Sequence, residues 1–412
     1  MHGGHIVVLD NRSACGRDRL ASATMEPAKP LIVGYRPEIA KRLYRRGLEF
    51  AVWHDRRIKK ATIPGCSRVI DSEPFASQIP KLKKQISRLF GPEARFTHVI
   101  AGTESSVVAA SVARRILGGR KSKDTVVLRC HNKRLMKEFF RDKGIPLIPF
   151  LYSGGRDKLH SAAEVVRQLG LPVVVKPLDS SGGRGLVFAH CATDLEPFLK
   201  RRVLFEKFVD APELSVESFI YERQVRFVST TQYVEKRSVN LVPSGHPDKL
   251  NAKVIELNRQ VLNALDIRWG ITHAEYYLAD DQIYFGEIAV RPPGGYIMDL
   301  ISLAHNFDAW KAFVDNELGL EPTFGQQVQW AAATLFHPGG GIIESVSGQD
   351  SIKSHPLCKK LYLHSRPGDR LGQREGAGEI AAYALFCGAT KTATIEAVRQ
   401  AQRKMVFRVS KL

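Results

Sequence analysis

The sequence predicts a chain of mixed α/β and α+β class, with an N-terminal Rossmann-like α/β domain and a C-terminal domain that contains an antiparallel sheet. Strand-like apolar runs alternate with amphipathic helical patterns over residues 28–120, which is typical of a mostly parallel sheet. A glycine-rich segment, residues 180–185, separates two apolar runs of the central region. Two runs rich in aromatic and β-branched residues, 274–279 and 282–291, follow each other across a polar pair and predict a β-hairpin.

The chain has 412 residues, which is too long for one core and indicates several domains. We expect an N-terminal extension or first strand in 1–27, an α/β domain in 28–120, a central region in 121–202, a C-terminal domain in 203–324 and an α+β segment in 325–412. Hydrophobic content of 44% and charged content of 25% are ordinary for a soluble globular protein. No apolar run reaches the length of about 18 residues that a membrane helix needs, so no membrane partner is expected.

The net charge of +19 is compatible with two kinds of partner, nucleic acids and small anionic molecules. The basic residues are spread along the chain, and no nucleic-acid module signature accompanies them, so a nucleic-acid partner is not expected. The six cysteines are scattered without a CxxC pair, which leaves zinc and redox motifs unsupported. A reduced cytoplasm is the simplest setting for such a chain.

A β–α–β pattern that begins at Pro30 predicts the first domain. The segment LIVGY predicts a strand with Gly34 at its turn, PEIAKRLYRRGL predicts a helix, and FAVWHD predicts a second strand. Further strands are predicted at 69–70 and 97–101, and helices at 79–90 and 105–117. Residues 6–9 are a candidate strand of the N-terminal extension.

The central region begins with a capped amphipathic helix over 128–140 and continues through a strand at 145–150, a helix at 161–169 and the strand VVVKP. This last strand ends at Lys176 and Pro177 and leads into the hairpin tip, residues 180–185. Backbone N–H groups in such a tip can close over phosphate oxygens, and Lys176 would supply a charge beside them. The segment lacks the GK[ST] of a Walker A loop, and an ordinary turn is the alternative interpretation.

The C-terminal domain is predicted to contain strands at 203–209 and 213–220, a helix at 248–265, the hairpin, and a helix that begins near Met298. Residues 325–412 combine short strands and turns with a final helix at 394–404.

Glu275 and Glu287 are predicted to face each other across the hairpin. Their even separation allows direct pairing if the loop has three residues, 280–282. Like charges directly opposite each other are destabilising and require a compensating cation. Mg²⁺ is the natural candidate, because it is held by one or two carboxylates together with substrate phosphates. The alternative is that both glutamates simply face solvent.

The order of these features resembles the ATP-grasp superfamily of carboxylate–amine ligases, and most closely its L-amino-acid ligase (dipeptide synthetase) branch. The phrase GITHAE at 270–275 and the pattern Glu287-x-Ala289-x-Arg291-x-x-Gly294 carry the closer likeness. The resemblance is strong over about residues 120–305 and looser on either side. It implies an ATP-grasp fold in which the glycine-rich hairpin is a mobile lid over the triphosphate.

The resemblance also implies the ATP site. Lys133 and Lys176 match the two ATP lysines, residues 206–209 match the linker strand that holds adenine, and Glu213 matches the acceptor for the ribose hydroxyls. Within that linker, Glu206 would take the adenine amino group and the backbone of 207–209 the ring edge. The implied ATP-binding residues are Lys133, Lys176, Ser180, Ser181, Gly182, Gly183, Arg184, Gly185, Glu206, Lys207, Phe208, Val209 and Glu213.

The remaining implied roles concern metal and substrate. Glu275 and Glu287 match the Mg²⁺ ligands, for one or two ions, with Mn²⁺ as an alternative metal. Arg291, together with Lys176, is implied as catalytic, since Arg291 matches the arginine that steadies the acyl phosphate and the tetrahedral intermediate. The predicted substrate-binding residues are His273, Arg291, Gly294 and Gly295.

Each of these residues also has a structural interpretation. His273 could be a satisfied core histidine, Arg291 could pair with Glu275 or Glu287, Glu213 could be a strand-edge carboxylate, and Gly294–Gly295 could be an ordinary turn. One departure from the family concerns Ala289, because many ATP-grasp enzymes have a metal-binding asparagine there. The coordination of a second Mg²⁺ therefore stays open.

The resemblance implies an activity in which a small carboxylate, such as an amino acid, is joined to an amine at the expense of ATP, with ADP and phosphate released. A carboxylase or formate-activating transformylase of the same superfamily is the first alternative. A nucleotide-binding regulatory protein without turnover is an alternative of another class. The expected partners are the small carboxylate and amine substrates and, as an assembly, a homodimer.

Overall fold

The computed structural model describes residues 28–55, 63–76, 78–120, 122–154, 161–279 and 282–410. The candidate strand at 6–9 lies outside these residues, as do Asp280 and Asp281 of the predicted hairpin loop. Among the described residues, no helix combines the length and the apolar character needed to cross a bilayer.

The N-terminal domain is built on a parallel sheet of strands β1 (Pro30–Val33), β2 (Phe50–His54), β3 (Cys66–Asp71) and β4 (His98–Ala101), in the order β3-β2-β1-β4. Its helices are α1 (Pro37–Arg45), α2 (Ile79–Phe90) and α3 (Val107–Leu117). The predicted β–α–β unit and mostly parallel sheet are thus confirmed. Gly34, at φ +74°, lies where a Cβ atom would be 2.4 Å from Thr103 Oγ1, so the loops after β1 and β4 pack too closely for a larger residue.

Residues 128–140 form parts of two helices rather than the single helix that the sequence predicted. These helices are α4 (Asp124–His131) and α5 (Lys133–Arg141). Asn132 breaks the run in an extended conformation, and its side chain accepts a hydrogen bond from the Leu135 N–H at 3.1 Å. An Asn N-cap satisfies one of the amide groups that a helix start leaves unpaired. The break therefore places Lys133 in the first turn of α5.

The central region forms a four-stranded antiparallel sheet. Its strands are β5 (Phe150–Ser153), β6 (Val173–Pro177), β7 (Val187–Ala189) and β8 (Val203–Lys207), in the order β5-β8-β6-β7. Helices α6 (Ala162–Leu169) and α7 (Ala192–Leu195) bury Val165 and Leu195 against it. The predicted glycine-rich hairpin is confirmed, because residues 178–186 connect the paired strands β6 and β7.

The C-terminal domain is built on an antiparallel sheet of eight strands. Its strands are β9 (Glu213–Tyr221), β10 (Gln224–Glu235), β11 (Val239–Val242), β12 (Gly270–Leu278), β13 (Ile283–Ala289), β14 (Trp330–Phe336), β16 (Cys358–Leu363) and β18 (Ala382–Gly388). They lie in the order β13-β12-β9-β10-β11-β14-β18-β16, so strands from beyond residue 325 continue the sheet that carries the predicted metal pair. This arrangement confirms the predicted antiparallel C-terminal sheet.

A smaller sheet in the order β17-β15-β19 completes the C-terminal part, from strands β15 (Gly341–Ser347), β17 (Arg370–Leu371) and β19 (Val406–Ser410). The helices after the central region are α8 (Asp248–Leu265), α9 (Ile297–His305), α10 (Ala309–Glu317), α11 (Gln349–Lys353) and α12 (Lys391–Lys404). The predicted helix at 248–265 is α8.

The hairpin of β12 and β13 pairs Glu275 directly with Glu287, as predicted from their spacing. The predicted three-residue loop is wrong, because Leu278 pairs with Ile283 and the connection is residues 279–282. The register shifts between the Glu275 and Tyr276 pairs, where Gly286 is the extra residue of a β-bulge. A Cβ atom at Gly286 would lie 2.9 Å from the Glu275 carbonyl oxygen, so the bulge favours glycine.

The largest buried cluster joins the N-terminal domain to the eight-stranded sheet. It includes Ile32 and Phe50 of the N-terminal sheet, Trp310 and Phe313 of α10, and Phe219 of β9. Each fully buried side chain of this size contributes about 2–3 kcal/mol through removal from water. The N-terminal domain is therefore packed directly against the helices that follow the hairpin.

Candidate active site

The predicted metal carboxylates lie side by side on one face of the hairpin and are both partly exposed, 25% for Glu275 and 36% for Glu287. Glu287 Oε2 lies 3.2 Å from Lys133 Nζ. Glu275 Oε1 accepts a hydrogen bond from the Tyr233 hydroxyl at 2.9 Å. Two adjacent carboxylates that remain reachable from solvent offer the hard oxygen ligands that Mg²⁺ prefers, and the rest of its shell can come from phosphates and water. The donor set therefore fits the predicted ion, although no three His, Cys, Asp or Glu side chains of the described residues gather as a metal cluster.

His273 connects Glu275 to a buried polar network. Its Nδ1 lies 2.7 Å from Glu217 Oε1 and its Nε2 3.3 Å from Glu275 Oε1. The Ser215 and Thr231 hydroxyls each donate to Glu217 at 2.7 Å. Burial would lower the pKa of His273, but the two carboxylates outweigh it and raise that pKa to about 9. An imidazolium thus fixes the orientation of Glu275, while substrate binding by His273 stays a prediction.

Ala289 lies directly across the hairpin from His273. On its other side, His273 pairs with Glu217 of β9. The small alanine side chain thus stands opposite a histidine already engaged by carboxylates.

A buried triad of Lys137, Glu206 and Lys176 lies beneath the site. Glu206, only 1% exposed, has one oxygen 2.6 Å from Lys137 Nζ, and its other oxygen accepts a short hydrogen bond from Lys176 Nζ. Burial would raise the pKa of Glu206, but the two lysine charges outweigh it and hold that pKa at about 2. Each carboxylate oxygen of Glu206 faces a lysine, and the implied contact of Glu206 with an adenine amino group stays a prediction.

Lys133 links the carboxylates to the glycine-rich hairpin. Besides its contact with Glu287, its ammonium donates to the Ser180 carbonyl oxygen at 2.5 Å. Asn132 adds a second link by donating to Asp179 at 2.7 Å. Lys133 therefore lies between the predicted metal ligands and the first residue of the predicted lid.

The segment predicted to hold adenine, residues 206–209, begins in β8 and continues beyond the end of that strand at Lys207. The N–H groups of Lys207 and Phe208 donate to the carbonyl oxygens of Pro149 and Pro172 at 3.0 and 3.1 Å. These two N–H groups are therefore engaged within the protein. Ring contacts by these residues stay predictions.

Glu213, predicted to accept from the ribose hydroxyls, pairs with Lys236 Nζ at 2.7 Å. Burial and the nearby Glu275 raise the pKa of Glu213, against the effect of Lys236. Tyr277, between these groups, has Lys176 Nζ and Lys236 Nζ each 5.9 Å from its ring centre. A ring flanked by two ammonium groups suits a stacking surface beside an anionic ligand.

Arg291 pairs with Glu104 rather than with Glu275 or Glu287. Its Nε donates a short hydrogen bond to Glu104 Oε2, and the other oxygen of Glu104 lies 2.9 Å from His131 Nδ1. Glu104 follows β4, so the N-terminal domain supplies a carboxylate at the predicted catalytic arginine. Burial would raise the pKa of Glu104, but Arg291 and His131 outweigh it and hold that pKa at about 2.

Gly294 and Gly295 lie between Arg291 and α9. Gly295 has φ +59°, and a Cβ atom there would lie 2.5 Å from Asn240 Nδ2. Asn240 donates to the Gly295 carbonyl oxygen at 2.9 Å. This turn is fixed to β11, and its predicted contact with substrate stays a prediction.

The depressed pKa of Glu104 predicts a pH dependence of stability. Because that pKa falls from 4.5 to about 2 on folding, the ionised group stabilises the fold above pH 4.5, and this contribution disappears as the pH falls towards 2. Glu104→Gln should therefore lower the free energy of unfolding at pH 7 by about 3 kcal/mol, with a difference that shrinks below pH 4.5. Urea titrations at several pH values measure this difference in the free energy of unfolding. Glu93→Gln, at an exposed position, is the control. A penalty that stays constant with pH would contradict this assignment.

Sequence reasoning missed Lys137, Glu104, Glu217, Tyr233 and Tyr277. Lys137 had a signal, because it lies one helical turn after Lys133 and on the same face. Glu104 had one too, because loops after the carboxyl ends of parallel strands are where such domains bind ligands. Glu217 and Tyr233 depend on the pairing of distant strands, and local pattern does not report it.

Comparison with known protein families finds two matches. Residues 138–301 match the ATP-grasp domain, and residues 333–410 match the L-amino acid ligase C-terminal domain 2. These matches confirm the resemblance seen in the sequence.

Two curated relatives illustrate the range of activities. The chain is 26% identical over 247 residues to the L-arginine-specific L-amino acid ligase of Bacillus subtilis, covering 55% of this chain and 59% of the relative. It is also 26% identical over 243 residues to the formate-dependent phosphoribosylglycinamide formyltransferase of Nitratidesulfovibrio vulgaris, covering 54% of this chain and 60% of the relative. The aligned part is thus less than two thirds of either relative.

Solved structures match over more of the chain. The L-amino acid ligase from Bacillus licheniformis superposes with a TM-score of 0.77 at 17% identity, covering 94% of this chain and 100% of that one. The N5-carboxyaminoimidazole ribonucleotide synthetase from Thermotoga maritima gives a TM-score of 0.71 at 17% identity, covering 93% and 100%. These likenesses establish the fold.

Proposed function

Because this chain carries an ATP-grasp domain and an L-amino acid ligase C-terminal domain, we propose that it is an ATP-dependent carboxylate–amine ligase. It would activate an amino acid or a small organic acid as an acyl phosphate and join it to an amine, forming an amide or peptide bond. The observation that carries the proposal is the pairing of Glu275 with Glu287 beside Lys133, under the glycine-rich hairpin.

The first step is phosphoryl transfer. A carboxylate oxygen of the substrate displaces ADP from the γ-phosphorus of ATP, which forms the acyl phosphate. Such transfers depend on positioning and on neutralised charge rather than on a protein nucleophile. In this proposal Lys133 and Lys176 would neutralise phosphate oxygens, and Glu275 and Glu287 would hold Mg²⁺. When bound, this ion polarises the phosphoryl group and offsets its charge.

The second step forms the C–N bond. The amine nitrogen attacks the carbonyl carbon of the acyl phosphate, phosphate leaves with the electrons of the C–O bond, and the nitrogen loses a proton. Arg291 would stabilise the oxyanion that develops on the carbonyl oxygen. The hairpin tip, 180–185, would exclude water, which otherwise hydrolyses the acyl phosphate.

The N-terminal domain would form the substrate wall. Glu104 contacts Arg291, and the partly exposed Arg36, whose guanidinium lies 4.9 Å from the centre of the Trp310 ring, is near enough to Arg291 for the two charges to repel each other. Burial lowers the pKa of Arg36, with Glu38 acting in the opposite direction. A wall that presents both acidic and basic groups suits a zwitterionic amino acid better than formate or bicarbonate.

Activation of formate or bicarbonate is the second candidate, because similar proteins include a formate-dependent formyltransferase and a carboxyaminoimidazole ribonucleotide synthetase. The cytoplasmic location and the homodimer stay part of the proposal. The scattered cysteines support the cytoplasmic location, and the likeness to the superfamily supports the homodimer.

A phosphate-release screen tests the function. Amino acids and small acids, including formate and bicarbonate, are supplied singly and in pairs with Mg-ATP, and the products are identified by mass spectrometry. The expected result is phosphate release with a pair of substrates and a mass that corresponds to their condensation. ATP binding without release from any combination would contradict the ligase function, and release with formate or bicarbonate alone would favour the second candidate.

A further inference from the structure

The glycine-rich hairpin is held by the C-terminal part of the chain as well as by Lys133. We define the lid as residues 180–185 and the seat as residues 374–379. The Ala377 N–H donates to the Gly182 carbonyl oxygen at 2.9 Å. Arg184 Nε of the lid lies 3.7 Å from Glu379 Oε1 of the seat. The lid therefore docks on a segment that is far away in sequence.

A second element meets the lid from the turn between β10 and β11. Arg237 Nη2 donates to the Gly183 carbonyl oxygen at 3.0 Å. A Cβ atom at Gly183 would lie 2.3 Å from that guanidinium, so the arginine packs directly on the lid backbone. Successive carbonyl groups of the lid are thus hydrogen-bonded to two separate parts of the protein.

Arg374 joins these two parts without touching the lid. Its Nη2 donates to the Arg237 carbonyl oxygen at 2.5 Å and to the Ala377 carbonyl oxygen at 3.3 Å. Its Nη1 lies 3.4 Å from Ser238 Oγ. One guanidinium therefore fixes the spacing between the Arg237 turn and the seat, as its several donors in a rigid fork allow.

Glu379 gives the seat its shape. Its Oε2 accepts from the N–H groups of Glu375 and Gly376 at 2.8 and 3.4 Å, while Oε1 faces Arg184. Both side chains of the Arg184–Glu379 pair are well exposed, so the ion pair itself contributes little. The backbone contacts at Gly182 and Gly183 carry most of the docking.

We propose that residues 374–379 are the seat of the lid and that Arg374 is a positioning residue that holds the lid closed during the reaction. The part that concerns the reaction rests on the proposed ligase function. An acyl phosphate must be kept from water until the amine arrives, and a lid without a seat opens more often. The C-terminal segment thereby controls how much activated acid reaches the amine.

Limited trypsin digestion tests the docking without any assumption about activity. Cleavage after Arg184 in the full chain is followed by mass spectrometry, because proteolysis of a closed segment reports how often it opens. Arg374→Ala should raise the cleavage rate about tenfold and Glu379→Gln about threefold. Arg374→Lys, which keeps the charge but not the fork, should fall in between. Arg408→Ala, an exposed arginine of β19, is the matched control and should leave the rate unchanged.

Turnover measurements with Mg-ATP and a substrate pair found in the screen test the effect on the reaction. In Arg374→Ala and Glu379→Gln, the KM for ATP should rise, and the ADP released per amide formed should exceed that of the unchanged chain. A merely structural defect would lower both products together. The Glu379 side chain is exposed, and glutamine has the same shape as glutamate. Glu379→Gln should therefore fold, and it stays informative if Arg374→Ala does not fold.

Cleavage of both variants at the rate of the unchanged chain would overturn the proposal, whatever the activity. Faster cleavage with unchanged coupling of ADP to amide would overturn the role of Arg374 in the reaction. Faster cleavage in a chain that releases no phosphate with any substrate would support the seat and contradict the proposed function.

Discussion

Glu287→Gln and Glu275→Gln are each expected to lower kcat for amide formation about 10³-fold or more. Both substitutions keep the size of the side chain and remove the charge with which a carboxylate would hold Mg²⁺ beside the transferring phosphoryl group. Glu287→Gln also leaves Lys133 without its carboxylate partner. Steady-state assays of ADP and amide formation measure the effect.

Binding of Mn²⁺, followed by electron paramagnetic resonance in the presence of ADP, separates loss of the metal from other causes. Glu256→Gln, on an exposed part of α8, is the matched control and should leave both readouts unchanged. Near-normal turnover in either variant of the pair would show that the metal assignment is wrong.

Glu206→Gln is expected to lower the free energy of unfolding by about 3–5 kcal/mol, because it leaves the buried Lys137 charge and the partly buried Lys176 charge with one neutral amide. Lys137 is 2% exposed, so its ammonium cannot recover the lost interaction by reaching water. Burial lowers the pKa of Lys137 while Glu206 acts in the opposite direction, so the variant should also favour the neutral amine. Urea unfolding at pH 7 measures the difference.

Glu138→Gln provides the comparison for this second prediction. Glu138 lies on α5, the helix that also carries Lys137. It pairs with Arg134 at 3.1 Å, but both side chains are partly exposed. Its loss should cost less than about 1 kcal/mol, as is typical of surface ion pairs. Equal unfolding midpoints for Glu206→Gln and Glu138→Gln would contradict the importance of the buried triad.

Local pattern was sufficient where the relevant geometry is local. The pairing of Glu275 with Glu287 follows from the period of two in strands, and α2 and α8 follow from the helical period of 3.6. The loop length was wrong because Gly286 forms a bulge, and one inserted residue changes the count without changing the periodicity. Asn132 was likewise read as part of one long helix, although an asparagine is a favourable N-cap.

Apart from Lys137, the missed residues are recognised only through contacts between distant parts of the chain. Arg291 and its partner Glu104 are 187 positions apart, and no spacing rule connects them. The implied adenine contact of Glu206 came from the order of motifs, whereas its burial between Lys137 and Lys176 comes from the packing of three separate elements. The sequence therefore predicted which residues lie together at the candidate site more readily than it predicted their buried partners.

The continuity of the eight-stranded sheet affects how this chain can be divided. Strand β11, all of whose side chains are buried, has β14 as its neighbour on one side. A fragment that ends at residue 324 would leave that strand with a bare edge of unpaired N–H and C=O groups, which invites pairing between molecules and aggregation. The segment after residue 325 is thus a structural completion of the sheet, and exchanging it between related chains would require matching the edge of β11.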